Sequence, residues 1–200
     1  RVATGPKGMK VEAPSGGLQI PEVWLECSEA GTPLLVHQNS VLVLPCKAPL
    51  SPRFRSVLEE GSHFKPTDIV KHMRSAYNRE VGLVLNLSGT DRWYEPKQDW
   101  PAYTQCVHLD CGTRGGESLD GATVNEFCWK IDSFLIEERK RVAKVQGAPR
   151  SIVVHCTHGH NRTGFMICCY LLRTSTKEWN SLNHGVHQVA RHFAKARPPG

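Results

Sequence analysis

The sequence predicts a single α/β domain: a central, mostly parallel, twisted sheet flanked by helices. Three observations predict it. The chain has 200 residues, and roughly 100–200 residues make one domain. Its composition, 40% hydrophobic and 22% charged, is that of a globular chain rather than a disordered one. Short apolar strands alternate with longer stretches of helical period, the order that βαβ units impose.

Residues 1–17 hold Gly, Pro and Lys without a hydrophobic period. Residues 1–21 are therefore expected to form a flexible arm, and 22–200 the folded domain. The arm has no apolar core, so it does not read as a secretory signal. Trp24 to Pro52 reads as irregular, with one strand at 41–44 ended by Pro45. Pro66-Thr67-Asp68 opens a helix with Ile69, Val70, Met73, Ala76 and Tyr77 on one face. Residues 82–87 (GLVLNL) read as a buried strand, followed by a loop at 91–102 rich in Trp, Tyr and Pro. Residues 105–109 form a shorter strand, and 110–121 (DCGTRGGESLDG) a glycine-rich loop.

Thr123-Val124-Asn125-Glu126 is a capping box. The helix behind it carries Val124, Phe127, Cys128, Ile131, Phe134 and Leu135 as a stripe. Residues 151–155 are a third buried strand, and 162–173 a buried helix. A second capping box, Ser175-Thr176-Lys177-Glu178, precedes a last helix with Trp179, Leu182, Val186, Val189, Ala190 and Phe193 on one face.

No apolar run approaches the ~18 residues that a spanning helix needs, which argues against a membrane-embedded protein. The net charge of +6 lies entirely in residues 51–200, where 21 basic side chains face 15 acidic ones. A basic surface favours polyanionic partners such as RNA or phosphate esters. The eight cysteines follow no compact spacing and include no C-x-x-C pair. They read as reduced thiols in a reducing compartment rather than as a disulfide framework or a zinc site.

Residues 152–164 (IVVHCTHGHNRTG) run from strand through tight loop to helix. The backbone N–H groups of Thr157, His158, Gly159, His160, Asn161 and Arg162 can curl around one anion. The positive end of the following helix completes a phosphate cradle. Gly159 permits a sharp turn and a close backbone approach. Arg162 can grip two phosphate oxygens at once. Cys156 lies at the base, where N–H dipoles and Arg162 favour its thiolate for in-line attack on a phosphoryl group. Cys-x5-Arg alone is expected about 0.6 times by chance in this composition. Requiring also His155, Gly159, a Ser or Thr at 163 and Gly164 lowers that to roughly 2 × 10⁻⁵. A metal site built from Cys156, His155, His158 and His160 lacks a helical ligand spacing and would compete with Arg162, so no metal and no cofactor are expected.

The loop HCTHGHNRTG resembles the signature of cysteine-dependent phosphatases, and its wording is similar to that of the RNA 5′-triphosphatase domains of metazoan and plant mRNA capping enzymes. The resemblance extends through VWLECSEAG (23–31), FKPTDIV (64–70), LVLNLSGTDRWYEP (83–96), VHLDCGTRGGES (107–118) and ARPPG (196–200), so it covers about residues 22–200.

It implies the cysteine phosphatase fold and removal of the γ-phosphate from a 5′-triphosphate RNA end through a cysteinyl-phosphate, without metal, as the first step of cap formation. Cys156 would be the nucleophile and Arg162 the clamp. Thr163 would hydrogen-bond the thiolate and assist its expulsion, and His155 would orient the loop from below. Asp110, Glu117 and Asp120 are the acid candidates; Asp120, 36 residues before Cys156, best fits the superfamily's acid position. Acid help matters less here, because a diphosphate end leaves as a stable anion. Related domains often carry Asp where this chain has Asn86.

Arg92 and Arg114 are the foremost RNA-binding candidates; Lys65, Arg191 and Arg197 are weaker ones, and Trp93 and Tyr94 read as packing rings. His158 and His160 are expected around the pocket mouth. The resemblance implies action in the nucleus, with a guanylyltransferase domain C-terminal to this chain and the transcription machinery as partners. The K-x-D-G motif of guanylyl transfer is absent. The competing readings are a dual-specificity protein or lipid phosphatase and a silent phosphate-binding module.

Overall fold

A computed structural model of the chain describes residues 18–36, 41–111, 119–145, 147–174 and 182–198. The arm at 1–17, Arg114, Glu117 and the capping box at 175–178 lie outside the described residues.

The elements, in order, are β1 (Leu34–Val36), β2 (Val41–Cys46), a 3-10 helix (Pro52–Val57), α1 (Pro66–Tyr77), β3 (Glu80–Asn86), α2 (Pro96–Asp99), β4 (Gln105–His108), α3 (Gly121–Lys144), β5 (Arg150–His155), α4 (Asn161–Thr174) and α5 (Leu182–Ala196). The sheet order is β1-β2-β5-β3-β4. β2, β5, β3 and β4 are parallel, and β1 pairs antiparallel with β2. The predicted α/β domain with a mostly parallel sheet is the observed one, and β1 makes the sheet mixed.

β5 is central and buried on both faces, so it reads as a continuous apolar run rather than an alternation. Ile152 and Val154 enter the core cluster with Phe127, Ile131, Tyr170 and Phe193. Val153 enters the opposite cluster with Trp24, Leu44, Ile69 and Met73. Each such side chain, fully buried, contributes about 1.5–3 kcal/mol.

Several boundaries differ from the sequence expectation. The strand at 41–44 continues through Pro45 to Cys46. Proline is tolerated there because β1 has already ended; on that side the Pro45 carbonyl accepts the Gly31 N–H at 2.8 Å. The helix expected to be capped at Thr123 starts earlier, at Gly121. Asp120 is its N-cap, and the Asp120 carboxylate accepts the Thr123 N–H at 2.7 Å. The last helix buries Val189 and Phe193, but Val186 is exposed and Ala190 faces outward. Ile20 is half-buried against the Trp24 cluster.

The four parallel strands finish on one line: Cys46 pairs with His155, His155 with Asn86, and Asn86 with His108. Ligands of open α/β sheets bind beyond such carboxyl ends.

Candidate active site

His155 closes β5 and Asn161 opens α4, so residues 156–160 form the connecting loop. Cys156 lies at its base and is 5% exposed. The Gly159 N–H donates to Cys156 Sγ at 3.3 Å. Gly159 has φ +78°, and a Cβ there would stand 2.3 Å from the Cys46 carbonyl oxygen. Both facts demand glycine.

The carbonyls of the loop all find donors. Cys156 O faces His155 Nδ1 at 3.3 Å. Thr157 O accepts the Ala48 N–H at 3.1 Å, and His160 O accepts the Gly164 N–H at 2.6 Å. His158 O and Gly159 O accept from Arg197. The held carbonyls fix the peptide planes of the loop, and the Gly159 N–H points at Cys156 Sγ. Arg162, half-buried on the first turn of α4, donates to Leu87 O at 3.2 Å. That bond ties the loop after β3 to the cradle. Asn86 braces the same loop: its Oδ1 accepts the Ser88 N–H at 2.9 Å, and its Nδ2 donates to Thr90 O at 3.0 Å. Asn86 is thus a turn brace.

His155 is fully buried, and burial is the main cause that pulls its pKa down to about 4. It is a neutral imidazole at physiological pH. Cys156 O can only accept, so Nδ1 carries the proton, and Nε2 accepts the Tyr94 hydroxyl at 2.8 Å. Tyr94 and Trp93 are each 3% exposed, and Trp93 Nε1 donates to Ser88 Oγ at 3.0 Å. Both rings pack, as expected, and Tyr94 holds the histidine that holds the loop.

Other expected roles are not what the structure displays. Thr163 Oγ1 is buried without a hydrogen-bond partner among the described residues, so its bond to Cys156 Sγ is not formed. His158 Nε2 bonds Glu22 O at 2.7 Å and His160 Nε2 bonds Pro198 O at 3.3 Å. Their side chains are engaged by the Glu22 and Pro198 carbonyls, on either side of the folded domain's sequence. Asn161 is exposed at the first position of α4.

Asp120, the expected acid, is fully exposed. Hydrogen bonds from Thr123 hold its carboxyl below the ordinary value, opposite to the direction a general acid needs. It remains close enough to the pocket to act on Cys111, whose thiol burial pushes up to about 11 against the pull of Arg162, with Asp110, Cys156 and Asp120 adding to the rise. Lys65 is tied to Asp68 at 3.8 Å. Arg197 is 1% exposed and unavailable to RNA in that position. Arg92 is exposed, its guanidinium 4.9 Å from the Trp93 ring centre.

A cleft of about 620 Å³ opens between the 28–32 segment, α1 and the end of α5. It contains neither Cys156 nor Arg162, so the chemistry lies elsewhere. Among the described residues no three His, Cys, Asp or Glu side chains gather around a common point.

A strand–loop–helix cradle with a thiol at its base and a guanidinium on the helix's first turn can bind a phosphoryl group and attack it. Comparison with known proteins agrees. Residues 68–197 match the model of the dual specificity phosphatase catalytic domain. The chain belongs to that family.

The mRNA-capping enzyme of Mus musculus is 30% identical over 182 residues, covering 91% of this chain and 27% of that protein. The RNA/RNP complex-1-interacting phosphatase of Homo sapiens is 32% identical over 157 residues, covering 78% of this chain and 43% of that protein. The chain thus spans less than half the length of each of these relatives. Among solved structures, a protein tyrosine phosphatase from Leishmania major superposes with a TM-score of 0.54 at 14% identity, over 84% of this chain and 89% of that one. One from Trypanosoma cruzi gives 0.51 at 12% identity, over 94% and 69%. These two place the fold among the protein tyrosine phosphatases.

Arg197 and Tyr94 are the residues whose part in the site sequence reasoning missed. Arg197 was expected only as a weaker RNA contact at a helix end, and Tyr94 only as a packing ring in an aromatic loop.

Proposed function

We propose that this phosphatase removes the γ-phosphate of 5′-triphosphate RNA. The observation that carries the reading is the Cys156–Arg162 cradle in a chain similar to mRNA-capping enzymes over nine-tenths of its length. The second relative, named as an RNA/RNP complex-1-interacting phosphatase, points the same way. The chemistry of the acid position also supports it. An ester alkoxide needs a proton as it leaves, whereas a diphosphate end departs as a stable anion. An ionised helix cap at Asp120 suits the second leaving group better than the first.

The Cys156 thiolate attacks the γ-phosphorus. A P–S bond forms and the β,γ-bridging P–O bond breaks, its electron pair leaving on the diphosphate end. The loop amides and Arg162 stabilise the equatorial oxygens. Water then attacks phosphorus, breaks the P–S bond and releases inorganic phosphate, regenerating the thiolate. Neutral His155 keeps the loop in register and takes no proton. Arg92, exposed in the loop after β3, is the RNA contact we favour. The 5′-diphosphate product is the substrate of guanylyl transfer, so we place the enzyme in the nucleus, upstream of a guanylyltransferase and beside the transcription machinery.

The test is γ-phosphate release from short 5′-triphosphate RNA in EDTA, with Cys156→Ser alongside. Release that survives EDTA and vanishes in the variant supports the reading. Silence on RNA, with turnover of a phosphopeptide or phosphoinositide, overturns it and leaves a protein or lipid phosphatase.

A further inference from the structure

Two of the five carbonyl bonds that organise the catalytic loop come from one side chain. Arg197 Nη2 donates to His158 O at 3.1 Å, and its Nε donates to Gly159 O at 3.3 Å. The same guanidinium donates to Ser28 O at 2.6 Å and to Ser28 Oγ. A trans peptide points its C=O and N–H in opposite directions. Drawing the His158 carbonyl back therefore turns the Gly159 N–H forward, and that N–H lies 3.3 Å from Cys156 Sγ. Drawing the Gly159 carbonyl back turns the His160 N–H forward in the same way.

The side chain is also a buried permanent cation. Among the described residues it makes no ion pair with a carboxylate. The groups that face it are Cys46 from β2, Cys27 from the N-terminal segment and Cys156 from the loop, with Lys47 as a second buried cation that Glu29 faces in turn. Burial keeps Cys46 a neutral thiol, pushed up to about 12. Beyond Cys156 stand Arg162 on α4, and Asp110 and Asp120 beside Cys111. Buried charges are normally compensated. A phosphoryl group bound in the loop supplies the compensating charge.

We propose that Arg197 is a positioning residue of the catalytic loop: it holds the 158–159 and 159–160 peptides in the anion-binding orientation and sets a fixed positive charge behind Cys156. The proposal rests on the cysteine-phosphatase site and not on RNA as substrate.

The test compares wild type, Arg197→Lys and Arg197→Gln, each checked for folding by circular dichroism and thermal unfolding. Alkylation of Cys156 by iodoacetamide is followed from about pH 5 to 9, and orthovanadate affinity is read from its protection against alkylation. Arg197→Gln removes the charge and the fork: alkylation is several-fold slower across that pH range, and vanadate binds roughly tenfold more weakly. Arg197→Lys keeps the charge but cannot span both carbonyls and Ser28: the profile stays near wild type while vanadate still weakens roughly tenfold. Folded variants with wild-type profile and wild-type vanadate affinity overturn the proposal. If Arg197→Gln does not fold, Arg197→Lys with unaltered vanadate affinity overturns it equally. A protein inert on triphosphate RNA would still give these readouts, so the two readings fail separately.

Discussion

Asp120 illustrates how one residue type serves two jobs with opposite electrostatic demands. A general acid must hold its proton at neutral pH, whereas a helix N-cap must present an ionised oxygen to N–H groups. The structure uses Asp120 in the second way. Asp120→Asn is therefore expected to keep both the cap and phosphate release from triphosphate RNA, within about threefold. Asp120→Ala is expected to lower the melting temperature while also leaving release within about threefold. A hundredfold loss in Asp120→Asn would restore the acid assignment.

His155 makes a second prediction. Its pKa is about 4 in the folded protein against ~6.5 unfolded. Above pH ~6.5 both states are neutral and the histidine adds no pH dependence. Between pH ~6.5 and ~4 the unfolded chain takes up a proton that the folded one refuses, so stability falls with pH, by as much as about 3 kcal/mol. Below ~4 this contribution is flat. A melting-temperature series in this range should slope for wild type and flatten in His155→Gln.

At the scale of elements, the site depends on how closely α4 and α5 pack. A Cβ on Gly164 would stand 2.6 Å from a Phe193 ring carbon. Gly164→Val should therefore destabilise the protein by about 1–3 kcal/mol, measured by denaturant unfolding. It should also slow turnover, since α5 delivers Arg197 and Pro198 to the loop.

The far end of the sheet is stapled differently. Glu138 on α3 is pushed up by burial, but the Arg141 side chain at 2.6 and 2.7 Å and the Arg150 N–H at 2.8 Å outweigh that and leave it below the ordinary value. Glu138→Ala should cost about 1–2 kcal/mol by removing the partner of a half-buried guanidinium and of the Arg150 N–H, with little change in catalysis, because the staple sits where β5 enters the sheet.

Across the whole molecule, all eight cysteines are free thiols. Burial is the main cause that raises six of them: Cys46 and Cys106 to about 12, Cys111 and Cys168 to about 11, and Cys128 and Cys169 in the same direction. These six should be slow to react in the native state. Iodoacetamide at about pH 6.5 should therefore abolish activity as it modifies Cys156, with peptide mapping showing the six unmodified at that point. Early labelling of any of them would contradict the burial the structure assigns.

The sequence by itself determined the parallel core strands, the order of the βαβ units and the loop with Cys156, Gly159 and Arg162. Those features are local: a buried strand is a continuous apolar run, and a phosphate loop is contiguous in the chain. It did not reveal β1, three residues whose pairing depends on β2. Nor did it reveal that Arg197 and Ser28, 169 positions apart, meet behind the loop. Only the tertiary structure decided which polar side chains brace the loop. That choice is set by burial and by hydrogen-bond partners distant in sequence, and residue type alone carries neither.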